Sequence, residues 1–176
     1  MLSEKVFKSG YDVTKKSKLA GQEKNDCFVR ACSNAFGISY EQSHSCVTDT
    51  FNRKKGKGTK RVKVKFKELE KEIFNFQPEG QLDLFSVNGG KQIKVKHIGD
   101  TPKSGGRLFN KKYTHKKVAY TVKTFMESFK TGTYILLVRE HALVCKNGVL
   151  IDNGDMQFGG YRRPVESAFR VKEEVK

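Results

Sequence analysis

The chain has 176 residues, enough for one globular domain with a buried core, and its formal net charge is +16, from 35 Lys and Arg against 19 Asp and Glu. Such a charge favours anionic partners, and no apolar run reaches the roughly 18 residues of a membrane helix or resembles the apolar part of a signal peptide. We therefore predict one domain over residues 1–176, located in the cytoplasm, with no membrane contact and with its four cysteines reduced.

The beginning of the chain is predicted to present a cysteine at the start of a helix. Residues 1–21 are mostly polar and basic, which indicates an N-terminal arm. Asn25 or Asp26 can act as the N-cap, apolar residues then recur at helical spacing, and Gly37 can end the helix in the left-handed conformation. Cys27 thus falls in the first turn, where the helix dipole favours the thiolate that nucleophilic chemistry needs. The other interpretation of this cysteine is a small hydrophobic residue of the core.

A second helix is predicted directly after the first. Ser39 is followed three residues later by Gln42, which is a capping-box pattern. Apolar residues then recur at helical spacing, so we predict a helix over 40–52 that packs on the first. His44 lies on the apolar stripe of this helix and is interpreted as a structural histidine.

Residues 53–67 form the main basic segment, which is predicted to be an insertion or loop of the domain. The segment contains nine basic residues and no acidic residue. Its second part, 61–66, alternates basic and apolar residues, which predicts a strand. One interpretation is a patch that contacts nucleic acid or an acidic protein, and the other is a solvated loop followed by an edge strand that lysine protects. The residues of the predicted patch are Arg53, Lys54, Lys55, Lys57, Lys60 and Arg61.

The middle of the chain is predicted to contain short elements and a second basic loop. Residues 68–76 are predicted to form a short helix, and strands are predicted within 82–85 and 92–98. A second basic segment, 103–117, is again interpreted as an insertion or loop. After it, Thr121 can cap another short helix.

The strongest strand signals lie near the C-terminal end. The apolar run 134–138 predicts a strand that is buried on both faces. It is followed by two β-rich runs separated by Asn147-Gly148, which is a typical two-residue hairpin turn. Such a turn pairs Cys145 with Leu150 and thereby defines the register of the hairpin.

This register brings an acid next to a histidine. His141 and Asp152 become diagonal neighbours on one face of the hairpin, whereas a slip of one residue would bring Asn153 to that face instead. A carboxylate on one imidazole nitrogen selects the tautomer and leaves the other nitrogen as a base. We therefore predict a catalytic triad of Cys27, His141 and Asp152, with Asn153 as the alternative orienting residue. The other interpretation is that His141 is a polar residue of a strand and that Asp152 is an acid near the turn.

These motifs resemble the papain-like cysteine peptidase superfamily, especially its bacteriocin-processing branch and small uncharacterised phage proteins of the same layout. The resemblance covers residues 22–37 and 132–153, where a cysteine that opens a helix precedes a histidine and then an acid. It implies an α+β fold, in which N-terminal helices carry the cysteine and pack on an antiparallel sheet that carries the histidine and the acid. It also implies that Gln22 and the backbone amide of Cys27 stabilise an oxyanion.

The predicted function is a thiol hydrolase that cleaves a peptide or isopeptide bond of a polypeptide substrate, in the host cytoplasm if the protein is viral. Transamidation and deamidation use the same triad, and an inactive homologue would share the fold. The alternative function is noncatalytic binding of nucleic acid or an acidic protein through the basic segments of a peptidase-like fold. Neither a metal nor another cofactor is predicted, because the cysteines and histidines lack the paired spacing of structural zinc sites.

Overall fold

The protein has an α+β architecture in which helices pack on a mainly antiparallel sheet. A computed structural model describes residues 7–9, 17–77, 90–100, 108–109, 120–152 and 162–174, hereafter the described residues. The strands are β1 (Phe7–Ser9), β2 (Phe74–Phe76), β3 (Lys91–Asp100), β4 (Leu108–Phe109), β5 (Thr133–Val138), β6 (His141–Lys146), β7 (Val149–Asp152) and β8 (Ser167–Glu174). The helices are α1 (Lys18–Gln22), α2 (Cys27–Phe36), α3 (Tyr40–Phe51), α4 (Val62–Glu68) and α5 (Val122–Ser128).

Six strands run antiparallel in the order β7-β6-β5-β8-β3-β2. β1 is added in parallel beside β7, and β4 pairs with the end of β3. The segment that the sequence predicts as an N-terminal arm therefore contributes a strand and helix α1 to the described structure. The predicted strand 82–85, residue Asn153 and all of 103–117 except β4 lie outside the described residues.

The sheet separates two hydrophobic clusters. On one face, α2, α3 and α4 pack against strand residues such as Ile135 and Val144. On the other face, α5 packs against residues such as Leu136 and Leu143. Because successive residues of a strand point to opposite faces, the apolar run of β5 is buried on both sides, as predicted.

The predicted helix ends are largely confirmed. The capping box of Ser39 and Gln42 opens α3, and Gly37 ends α2 in the left-handed conformation with φ of 63°. Thr121 caps α5 through its own capping box. Asp26 occupies the N-cap position of α2, but its side chain makes no capping bond.

Two predicted elements are wrong. The segment 61–66 was predicted as a strand, but it forms helix α4, in which Val62 and Phe66 are buried and Val64 is 44% exposed. Residues four apart lie on one face of a helix, so this burial follows helical rather than strand spacing. The segment 68–76 was predicted as a helix, but it ends in strand β2, which extends the sheet beside β3.

Candidate active site

The β6–β7 hairpin carries a histidine and an acid in direct contact. Its turn residues Asn147 and Gly148 both have positive φ, of 51° and 74°, as a two-residue hairpin turn requires. The register pairs Cys145 with Leu150, as predicted. His141 Nε2 then lies 2.7 Å from Asp152 Oδ1, and the Asp152 side chain is only 1% exposed. The other carboxylate oxygen of this residue, Oδ2, is buried and has no partner among the described residues.

The thiol of Cys27 reaches the same histidine. Cys27 is the first residue of α2, and its thiol lies close enough to the His141 ring to contribute, through hydrogen bonding and negative charge, to the raised pKa of that ring. Because Nε2 of the ring is occupied by Asp152, Nδ1 is the nitrogen left for the thiol. The three residues predicted to form a triad therefore lie in one contact chain from thiol to ring to carboxylate.

The charge state of His141 follows from its two partners. Burial acts against the charged ring, but the hydrogen bonds to Asp152 and Cys27 and the negative charges of both groups raise its pKa to about 10. The imidazole therefore holds a proton at neutral pH. A ring in this state can donate a proton to a leaving group.

Asp26 precedes α2, but its side chain bonds to other side chains and does not cap the helix. Its Oδ2 accepts hydrogen bonds from Tyr40 at 2.7 Å and from Arg30 Nε at 2.9 Å. The carboxylate therefore does not occupy the amides of the first turn, which are the groups that an N-cap side chain would satisfy. Cys27 lies in this first turn, where the helix dipole favours negative charge.

The segment before Cys27 is tied to the basic segment by a buried ion pair. Arg53 Nη2 donates to Glu23 Oε2 at 2.9 Å, and both side chains are at most 1% exposed. The Gly56 amide donates to the same oxygen at 3.2 Å, and His44 Nε2 lies 3.3 Å from Oε1. Arg53 is therefore an internal structural residue and not part of a surface patch, because burial of its charge is tolerated only with this partner. His44 has the structural role that the sequence predicted.

Other predicted patch residues line a cleft beside the thiol. A cleft of about 530 Å³ is bounded on one side by the loop 57–60 and the start of α4, and on the other by the ends of β5 and β6. Cys27 and His141 are both exposed to this cleft. Lys57, Lys60 and Arg61 line it, whereas Lys54 and Lys55 do not.

Gln22 does not reach this cleft. It is the last residue of α1, its side chain is exposed, and it is not among the residues that line the cleft. The structure therefore gives no support to its predicted oxyanion role. Asn153, the alternative orienting residue, lies outside the described residues, and Asp152 occupies the orienting position.

The other three cysteines have raised thiol pKa values and are expected to react slowly. Burial raises the pKa of Cys145 to about 11 and also raises the pKa values of Cys32 and Cys46. Neutral thiols are poor nucleophiles, so these three residues are expected to be inert at neutral pH. All four cysteines are free; Cys27 and Cys46 are partly exposed, and Cys32 and Cys145 are buried.

Sequence reasoning missed the groups that shape the cleft. Glu23 and Arg53 are 30 residues apart, and no local pattern distinguishes this pair from the many others that so basic a chain allows. Glu140 and Glu166 also line the cleft, although each appears in the sequence as an ordinary acid. Their positions follow from the β5–β6 turn and from the hydrogen bond of the Glu166 amide to the Leu137 carbonyl at 2.8 Å.

No protein-family model matches the chain, and no curated protein or solved structure is significantly similar to it. Within the described part of the chain, no group of three or more His, Cys, Asp or Glu side chains is arranged to hold a metal ion. The helices found there are all too short or too polar to cross a bilayer.

Proposed function

We propose that this protein is a papain-like cysteine peptidase or a closely related acyl hydrolase, with Cys27, His141 and Asp152 as its catalytic triad. One observation carries the proposal. A single imidazole contacts a buried carboxylate through Nε2, lines the same cleft as the thiol of the residue that opens α2, and has its pKa raised by both groups. Nucleophile, base and orienting acid in hydrogen-bond contact are the arrangement that nucleophilic acyl transfer requires.

The first half-reaction forms a thioester. Before the attack His141 already carries the proton of the Cys27 thiol, and the sulfur attacks the substrate carbonyl carbon as a thiolate, so that a C–S bond forms and the carbonyl becomes an oxyanion. The Cys27 amide stabilises that oxyanion. His141 then donates its proton to the leaving amine as the C–N bond breaks.

The second half-reaction releases the acyl group. A water molecule gives one proton to His141 and attacks the thioester, the C–S bond breaks, and a carboxylic acid leaves. Asp152 accepts a hydrogen bond from Nε2 throughout and stabilises the imidazolium. A different nucleophile in place of water would give transamidation by the same residues.

The proposal is tested by the reactivity of individual cysteines. The chain is treated with iodoacetamide at pH 7, and alkylation at each cysteine is followed by mass spectrometry. We expect Cys27 to react at least about tenfold faster than the other three, because its thiol lines an open cleft beside His141, whereas burial raises the pKa values of the others. Cys27→Ala should abolish the fast phase, and the matched control Cys46→Ala should retain it.

Acyl transfer is tested separately with p-nitrophenyl acetate. We expect a burst of about one nitrophenol molecule per chain and an acetyl group on Cys27, because a covalent intermediate forms once on each chain before it is hydrolysed. Equal alkylation of all four cysteines, or acetylation spread over lysines without an adduct on Cys27, would contradict the proposed function.

A further inference from the structure

The walls of the cleft beside Cys27 carry opposite charges. The wall formed by the loop 57–60 and the start of α4 contributes four basic residues, and the wall formed by the strands contributes Glu140 and Glu166. Apolar groups lie between the charges, among them Leu137 and Val138. The basic residues that line the cleft are Lys57, Lys60, Arg61 and Lys63.

Three of these four cations have no acidic partner among the described residues. Lys63 forms an ion pair with Asp100, whose Oδ2 lies 3.1 Å from its Nζ. The side chains of Lys57, Lys60 and Arg61 are exposed, and the described part of the chain places no carboxylate within ion-pair distance of them. Their positive charge therefore remains available to a bound molecule.

The loop that carries these cations is anchored to the segment before the nucleophile. Glu23 accepts a hydrogen bond from the Gly56 amide at 3.2 Å, and Asn25 Nδ2 donates to the Gly56 carbonyl at 3.1 Å. The Lys57 amide in turn donates to the Lys54 carbonyl at 3.0 Å. The backbone of the cationic wall is thus held at a defined place relative to Cys27, as a binding site requires and a freely moving basic loop does not provide.

We propose that the cleft selects a polypeptide segment with Asp or Glu side chains close to the acyl group that Cys27 attacks. This inference rests on the proposed function and specifies its substrate class. Several unpaired cations in one cleft attract carboxylates and steer them toward the thiol. A polypeptide fits better than a nucleic acid, because the polypeptide offers an acyl carbonyl to Cys27.

The test measures binding without catalysis. The Cys27→Ala protein is titrated into a fluorescein-labelled octapeptide of alternating Glu and Ala, and into the same peptide with Gln in place of Glu. We expect the Glu peptide to bind at least about tenfold tighter at low ionic strength, and we expect the difference to shrink as salt is added. Equal affinity for the two peptides would overturn the proposal. Because both peptides are titrated with the same protein, a difference in folding between variants cannot cause the result.

Charge reversal locates the binding site. Lys57→Glu with Lys60→Glu should remove the preference for the Glu peptide. The matched control, Lys130→Glu with Lys172→Glu, changes the net charge equally at exposed positions near the Thr133 end of β5, away from the cleft. Retention of the preference in the cleft variant, or an equal loss in both variants, would overturn the proposal. So would a single-stranded oligothymidine that binds this cleft while the Glu peptide does not.

The two proposals can fail separately. If iodoacetamide alkylates Cys27 no faster than the other cysteines of the unmodified chain, the proposed chemistry fails. The affinities of the Cys27→Ala protein for the Glu and Gln peptides still show whether the cleft prefers acidic peptides. If Cys27 is selectively alkylated and the peptides bind equally, the substrate class is wrong and the proposed chemistry stands.

Discussion

Two histidine–aspartate pairs have nearly the same geometry. The ring Nε2 of His141 lies 2.7 Å from Asp152 Oδ1, and that of His97 lies 2.8 Å from Asp100 Oδ1. Both pairs lie on the same sheet, and both histidines are partly buried. The two carboxylates differ in their other partners. Asp152 has His141 as its hydrogen-bond partner and keeps its second oxygen unpaired among the described residues, whereas Asp100 also contacts two lysines and a serine.

The additional contacts change what the second pair can do. Lys67 and Lys63 lie 2.7 Å and 3.1 Å from Asp100 Oδ2, and Ser167 donates to its Oδ1 at 2.5 Å. Burial acts against the charge, but the bonds from His97, Lys67 and Ser167 hold the pKa of Asp100 well below its usual range. This carboxylate is therefore the centre of an ionic cluster with two lysines and a histidine. The ring of His97 also packs against Phe169, with the ring centroids 5.2 Å apart.

The comparison shows that a histidine–aspartate contact does not by itself identify a catalytic site. His141 lies beside a thiol in an open cleft, and within the described part of the chain its acid, Asp152, has no other side-chain partner. At His97 the acid is shared among four partners. A candidate triad is distinguished from a structural ion cluster by a nucleophile next to the histidine and by a cleft through which a substrate can reach both groups.

Exchange of each histidine should give the largest difference between the two regions. We expect His141→Gln to lower the rate of p-nitrophenol release at pH 7 by about 10²–10⁴-fold, because the general acid and base is lost. His97→Gln should change that rate less than about twofold, since its ring lies outside the contact chain of the thiol. Stopped-flow absorbance measures both rates, and equal losses in the two variants would remove the distinction.

Exchange of each aspartate should separate stability from activity. Asp100→Asn loses charged contacts to two lysines and a histidine, so we expect the free energy of unfolding to fall by about 1–3 kcal/mol while acyl transfer continues. Asp152→Asn should instead slow acyl transfer by at least about tenfold, because the imidazolium loses its counter-charge. Urea unfolding and nitrophenol release are measured on both variants. A larger loss of activity in Asp100→Asn would show that the two regions have been assigned wrongly.

The pH dependence of stability tests the charge state of His141. The pKa of His141 is about 10 in the folded chain, above its ordinary value of 6.5, so the folded state binds more protons between these values. The stabilisation is full below pH 6.5 and is lost as the pH rises through about 10. The difference in unfolding free energy between the unmodified chain and His141→Gln should therefore narrow over this interval, by at most about 1.4 kcal/mol per pH unit. A constant difference in urea titrations at several pH values would contradict the raised pKa.

Sequence patterns were sufficient where the determining interactions are local. The two-residue turn at Asn147 and Gly148 sets the hairpin register, and that register alone brings His141 to Asp152. Capping at Ser39 and the left-handed end at Gly37 were predicted correctly for the same reason, since these interactions span only three to five residues.

Sequence patterns failed where distant packing chooses between two local options. The segment 61–66 alternates as a strand would, and it also places Val62 and Phe66 four residues apart, as a helix would. Phe66 packs edge-on against Phe28 and Phe51 and also contacts Phe169, with centroids 5.0–5.4 Å apart, and this aromatic cluster buries the helical face. No residue within the segment itself carries that information.

By itself, the amino-acid sequence determined the cysteine at the start of α2, the hairpin that pairs a histidine with an acid, and the strongly positive charge of the chain. Only the tertiary structure decided that Cys27 contacts His141, that Arg53 is buried against Glu23, and that Lys57, Lys60 and Arg61 border the same cleft as the thiol. The physical reason is distance along the chain. A turn or a cap is stabilised by neighbouring residues, whereas contacts between residues 30 to more than 100 positions apart form only when burial of the whole core brings their backbones together.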